Sequence, residues 1–262
     1  MRTLKIASLM YHDVVAAGMD DASGFPGPSA ASYKLPWPEY EAQVGQLAAS
    51  GLRFPRVDAA DAFTAGHCLL TFDDGGASSL AAARVLDAHG MTGHFLITGA
   101  RIGTPGFASE ADLRALAAAG HVIGSHSHTH PADISRLPAA AMAAEWRDSI
   151  DRLAGVLGTP IEVASIPGGF YTRGVAASAF ASGIRYLFTS EPTTAVARLE
   201  QGLLIGRYAL QRGMGPGAAA AFARGIGTAR QRQWLLWNLK KPAKRWAGPA
   251  YRWLRQRSFG GT

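Results

Sequence analysis

The chain has 262 residues, 48% of them apolar, which suffices for one domain with a sizeable core. A single cysteine, Cys68, excludes an internal disulfide, and no run of about 18 apolar residues offers a spanning helix. The net charge of +7 is uneven: residues 201–262 hold 12 Lys and Arg and no Asp or Glu, leaving 14 basic against 19 acidic groups, or −5, in the first 200.

In chain order, Leu4–Met10 reads as a strand, and its surroundings, MRTLKIASLMYHDV, lack the apolar run and cleavage site of a secretory leader. The expectation is a cytoplasmic protein, at most associated with the inner face of the membrane. After a loop rich in Gly, Pro and Ser, Pro38 suits the first turn of a helix ending near Gly51. A strand at Cys68–Phe72 leads to a helix at Ala77–His89, and His94–Ile97 is the next strand. Ser109 can cap a helix over Glu110–Ala119, followed by a strand at His121–Ser125 and a long helix near Ala139–Leu157. Strand Val163–Ile166, helix Thr172–Ser182, strand Tyr186–Phe188 and strand Leu203–Tyr208 continue the alternation. Such order predicts an α/β fold, a parallel sheet with helices outside, and about seven or eight strands would let it curl into a barrel. Chemistry in such barrels sits at the C-terminal strand ends.

Two strand ends carry unusual polar residues. LLTFDDGG places Asp73 and Asp74 directly after an apolar run, where adjacent carboxylates repel unless a cation relieves them. An Asp serving as a helix cap is the plainer reading of this pair. HVIGSHSHTHP holds four of the eight histidines, and His126 and His130 are four apart, so one tight turn puts both rings on one side. A polar loop is the plain alternative there. Together, Asp74, His126 and His130 form a two-histidine, one-carboxylate face for a divalent cation, zinc first and cobalt or another divalent ion next. Asp73 would take the proton of an attacking water whose pKa the cation lowers. A non-haem iron oxygenase uses the same ligand set but has no use for the adjacent acid pair.

TFDDG followed by HSHTH resembles the first two signature motifs of the polysaccharide deacetylases, the NodB-homology enzymes of carbohydrate esterase family 4. LMYHDV and YKLPWPEYEAQVGQLAASG are similar to the opening strand and first helix of that family. The resemblance implies a distorted (β/α)7 barrel of the glycoside hydrolase/deacetylase type over residues 1–228, with residues 229–262 as a basic, Trp-rich tail. It implies Asp73 as the base, Asp74, His126 and His130 as metal ligands, and Ser127 as a loop-fixing hydroxyl. The reaction implied is removal of acetyl from N-acetylated sugars of a polysaccharide or lipid-linked glycan. O-deacetylation or deformylation would use the same machinery, and a weakened barrel that keeps its metal as a carbohydrate-binding or assembly scaffold is the alternative.

The chain departs from the family pattern in three places. The motif R-x-P-[FY]-[GY] becomes SIPGGFY, which keeps Pro167 and Gly169 but has Ser165 where the base-orienting arginine stands. The Asp-Trp motif is replaced by YLFTSEP, and LLIGRYAL lacks the general-acid histidine. Loss of such an acid costs about 10² to 10⁴ in rate. His12, His128, Glu191 and Arg207 are candidate replacements or cleft-lining groups; Arg207 suits a carbonyl, a phosphate or acidic sugar group, or a salt bridge. The tail WLLWNLKKPAKRWAGPAYRWLRQRS, divided by Pro242 and Pro249, mixes Trp with cations, which suits peripheral contact with an anionic membrane better than nucleic acid. A terminal helix packed on the barrel is the plain alternative for it.

Overall fold

The computed structural model describes residues 4–64 and 66–246, with backbone alone at 60–62 and 240–246. β1 (Ala7–Tyr11) is followed by β2 (Val14–Val15), α1 (Pro28–Ala31), β3 (Leu35–Pro36) and α2 (Trp37–Ala48). The regular part then alternates through β4 (Cys68–Phe72), α3 (Ser79–Asp87), β5 (Gly93–Ile97), α4 (Glu110–Ala118), β6 (Val122–Ser125), α5 (Ala139–Leu157), β7 (Val163–Ser165), α6 (Arg173–Ala181) and β8 (Tyr186–Phe188). A hairpin of β9 (Val196–Leu199) and β10 (Gly202–Ile205), then β11 (Tyr208–Ala209), α7 (Ala218–Arg224) and α8 (Ala229–Trp246), complete it.

The main sheet runs β11-β1-β4-β5-β6-β7-β8-β10-β9, parallel except for β9. Its two end strands do not pair among the described residues, so the sheet curls without closing. The segment predicted as one strand over Leu203–Tyr208 is two, β11 at one end of the sheet order and β10 next to the other end. The chain leaves the β8 side at Gly206 and crosses to β1. Arg207 sits in that crossing.

Strand periodicity sorts the core. Leu70 and Phe72 of β4, Leu9 of β1 and Phe95 of β5 pack outward against α2, α3 and α4. Leu69, Leu96, Phe188 and Ile205 fill the interior, and a third cluster around Trp146 and Phe180 seats α5 and α6. Ser109 does cap α4, in a reciprocal box with Asp112. No helix among the described residues is long and apolar enough to cross a membrane.

Helix α8 runs on through Pro242, where the sequence predicted a break, forgoing the backbone bond a proline cannot donate. Pro249 and Trp253, with Arg252, Arg255 and Arg257, lie outside the described residues, as does the Trp246 side chain. The inner face of α8 holds the barrel edge. Ala209 N–H donates to Gln233 Oε1 at 3.0 Å, and Gln233 Nε2 donates back to Ala209 O at 2.9 Å, so a side-chain amide pairs with the open edge of β11. Arg230 donates to the carbonyls of Phe222 and Ala223 and lies over the Tyr208 ring.

Buried His94 gives a pH signature. Its Nδ1–H donates to Leu70 O and its Nε2 accepts Val57 N–H, both at 2.8 Å, which uses the neutral ring fully. Burial pushes its pKa down to about 4, against an ordinary 6.5. Between those values the unfolded chain takes up a proton that the folded one refuses, so stability from this group is complete above about 6.5 and falls toward pH 4, by about 3 kcal/mol in all. Urea unfolding of His94→Gln should therefore show a shallower loss of stability across that window than the parent.

Candidate active site

The site is built at the C-terminal ends of β4, β6 and β7 and in the crossing before β11. Asp73 N–H donates to Tyr11 O, which extends the β1–β4 ladder one step. The chain then turns sharply. Asp74 takes a left-handed φ of 76°, and Gly75 follows at 78°, where a Cβ would meet Ile97 Cδ1 at 2.9 Å. Ser127 and His130 are also left-handed, at 62° and 58°. These three are the non-glycine residues with positive φ among the described ones, and each costs on the order of 1 kcal/mol or more. The strain is concentrated where the two polar motifs meet.

Nε2 of His126 lies 3.5 Å from Asp74 Oδ1, and Nε2 of His130 lies 3.6 Å from it. One ligand atom from each of the three residues falls within 4.8 Å of the others. Donors about 2.1 Å from one tetrahedral ion stand about 3.4 Å apart, so this spacing fits a divalent cation. The donor chemistry fits as well. Burial pushes His126 down to about 3, against the pull of Asp73, and burial also lowers His130, so both rings offer neutral nitrogens. Burial raises the Asp74 carboxyl well above the usual range, and neighbouring Asp13 and Asp73 add to it; a cation beside it reverses that preference.

The loop from His126 to His130 is held from behind. Ser127 Oγ accepts His130 N–H at 3.1 Å. The Glu145 carboxylate, from α5, accepts the backbone N–H groups of His128 and Thr129 at 2.9 and 2.8 Å and the Thr129 hydroxyl. His128 faces Gly99, away from the cleft. His126 Nδ1–H reaches Ser165 Oγ at 2.6 Å, which fixes the tautomer that leaves Nε2 free, and Ser165 O–H donates to Asp73 Oδ1 at 3.1 Å.

Arg207 completes the arrangement. Its side chain is 0% exposed, and its Nη1 and Nη2 donate to Asp73 Oδ1 and Oδ2 at 2.6 and 2.8 Å. Nε donates to Thr189 O and Nη1 also to Thr71 Oγ1, each at 3.0 Å, so four of the five N–H groups are used. A salt bridge is therefore the role the structure gives Arg207. The alternatives, binding a phosphate or acidic sugar group, are closed to it by burial. Burial pushes the Asp73 carboxyl up, but the Arg207 guanidinium and nearby His126 outweigh it, and Asp73 is held well below the usual carboxylate range.

A cleft of about 910 Å³ opens over these groups, lined by His12, Asp73, Asp74, His126 and His130 on its floor and by Phe25, Tyr33, Met214, Leu236 and Trp237 on its walls. Phe25 packs on His130 with ring centroids 4.7 Å apart, and Tyr33 on His12 at 4.6 Å. The loop that carries them is anchored by buried Lys34, which donates to Asp20 O and Phe25 O, and by Ser23 bonded to Asp13. Pro167 lies buried under the wall, and Gly169 is backed by Trp237 of α8. Glu191 is half-buried beside cleft-lining Ser190 and Pro192 and is not itself part of the wall. The sequence reading missed Glu145, Phe25 and Tyr33; nothing in the local pattern distinguishes a lone helix acid or two loop aromatics from surface residues.

The Arg207–Asp73 fork predicts a specific coupling. Arg207→Met should destabilise the fold by about 3–5 kcal/mol, because it strands a buried carboxylate. The pair Arg207→Met with Asp73→Asn should recover much of that loss in urea unfolding. Additive losses would show that the two side chains do not act on each other.

Comparisons with known proteins bear on this site. Residues 61–187 match the family model described as polysaccharide deacetylase. No curated protein matches the chain. Among solved structures, BC0361, a polysaccharide deacetylase from Bacillus cereus, aligns with a TM-score of 0.69 at 18% identity, covering 84% of this chain and 69% of its own. The Streptococcus pyogenes deacetylase PplD, in complex with acetate, aligns at 0.69 and 16% identity over 85% of this chain and 99% of its own. IcaB from Ammonifex degensii aligns at 0.67 and 20% identity over 86% and 97%. At such identities these likenesses speak for the fold, a curled parallel (β/α) half-barrel of the deacetylase type. Residues 61–187, from β4 into β8, thus carry a polysaccharide deacetylase domain match, and the fold around them is the one shared by deacetylases of the NodB-homology kind.

Proposed function

We propose that the chain removes the acetyl group from N-acetylated sugars of a polysaccharide or lipid-linked glycan, with a divalent cation, zinc first, held by Asp74, His126 and His130. The observation that carries this reading is the meeting of those three donors within 4.8 Å, with Asp73 next to them in the chain and forked by Arg207. A cation bound there polarises the attacking water and the amide carbonyl.

The remaining work falls to the side chains. Water adds to the acetyl carbon, Asp73 accepts its proton, the carbon–nitrogen bond breaks, and the products are acetate and a free amino sugar. Arg207 holds both Asp73 oxygens, so the carboxylate meets the water in one orientation, and Ser165 ties that orientation to the His126 ring. The leaving nitrogen needs a proton from the cleft wall. His12 is the one imidazole besides the two ligands that lines the cleft among the described residues. Burial pushes it down to about 4, opposed by Asp73, so the resting ring is neutral. Negative charge building on the substrate beside it favours its protonated form when the proton is required. A pure binding scaffold would have no use for a base held by a buried guanidinium, which favours the hydrolase over the scaffold reading.

Metal content and acetate release from N-acetylglucosamine oligomers and lipid-linked saccharides test this. Chelation should abolish turnover, with zinc or cobalt restoring it. Asp73→Asn should keep the metal and lose at least about 10²-fold in kcat, and His12→Gln should lose about 10²–10⁴-fold with metal content unchanged. Metal-loaded protein that releases no acetate from any such glycan would overturn the proposal, and full activity in His12→Gln would remove that residue from it.

A further inference from the structure

Helix α8 has two faces that do different things. Its inner face is fixed by Gln233 on the β11 edge, by Arg230 on α7 and by Trp237 against Gly169. Its outer face carries Leu235, Leu236 and Leu239, which are 53%, 54% and 65% exposed, while Trp234, 52% exposed, lies on the flank, one turn beyond Arg230. Leu235, Leu236 and Leu239 fall on one side of the helix by their spacing, and Arg232, also exposed, falls with them. Ile226, in the turn before the helix, is 54% exposed. Large apolar side chains left open in this number on one face call for a partner.

The charge around them selects it. Residues 201–262 carry 12 Lys and Arg and no acid, while the remainder is net acidic. Leucines at the level of the headgroups, with cations reaching phosphate, match an anionic bilayer surface; a second copy docking through the same face would bring like charge against like. The stripe is also continuous with the active-site cleft, because Leu236 and Arg232 belong to both.

We propose that α8 docks the protein on an anionic lipid surface through Leu235 and Leu239, so that the cleft mouth opens at the headgroups. The docking itself is independent of the chemistry; its consequence, that the sugar attacked is one held close to a membrane, rests on the deacetylase reading.

Flotation with vesicles tests it. Full-length protein is mixed at low salt with vesicles of equal parts phosphatidylcholine and phosphatidylglycerol, and in parallel with phosphatidylcholine alone. The parent should float with the anionic vesicles, less with the neutral ones, and less as salt shortens the reach of the cations. The variant L235S/L239S should partition about tenfold less or lower, with its circular dichroism unchanged. Its acetate release from soluble oligosaccharide should equal the parent's, which separates failure of docking from failure of the catalytic reading. A parent that stays unbound to anionic vesicles at low salt overturns the proposal whatever the variant does. So does a folded variant that floats as well as the parent. A parent that does not float but sediments as a dimer, with the variant monomeric, would assign the face to a second copy and likewise overturn it.

Discussion

Two carboxylates side by side at a buried strand end cannot both be charged without help, and the site reads as two separate answers to that problem. Asp73 receives a fully buried guanidinium, bound through both oxygens. Asp74 faces two imidazoles whose neutral nitrogens stand at ligand spacing. The first carboxylate is held as an anion by the protein itself, and the second is left in a setting that disfavours its charge. Two acids that are neighbours in the chain are thereby pushed in opposite directions.

The backbone bears the cost of bringing them together. Asp74, Ser127 and His130 all adopt left-handed conformations, and the surrounding bonds over-determine them: Gly75 against Ile97, the Glu145 carboxylate on the loop of residues 126–130, Ser127 on His130 N–H. Strain of this kind survives only where the structure around it is rigid, which is why the loop is fastened to α5 as well as to β6. Ser165 then joins the two halves, since one hydroxyl touches the His126 ring and the Asp73 carboxylate.

Much of this was legible in the sequence because it is local. TFDDGG and HSHTH announce themselves through adjacency and a spacing of four, and strand and helix alternation gave the parallel sheet with its strands at Cys68–Phe72 and Tyr186–Phe188. What was hidden is what depends on distance along the chain. Arg207 meets Asp73 across 134 residues, so no motif could join them, and nothing around Ser165 signals that its hydroxyl reaches the same carboxylate across 92 residues. The antiparallel β9 is a short edge strand, mostly exposed, with no apolar alternation to betray it. The two-residue pairing of β2 with β3 is below the reach of any periodicity.

The exchange between Gln233 and Ala209 has a consequence for assembly during synthesis. A sheet that curls without closing leaves β11 with a free backbone donor and acceptor, an invitation to any extended segment of another molecule. That invitation stands open until α8 has left the ribosome and laid its Gln233 amide against the strand. Chains cut short before residue 229 would therefore carry an uncovered strand edge and associate more readily.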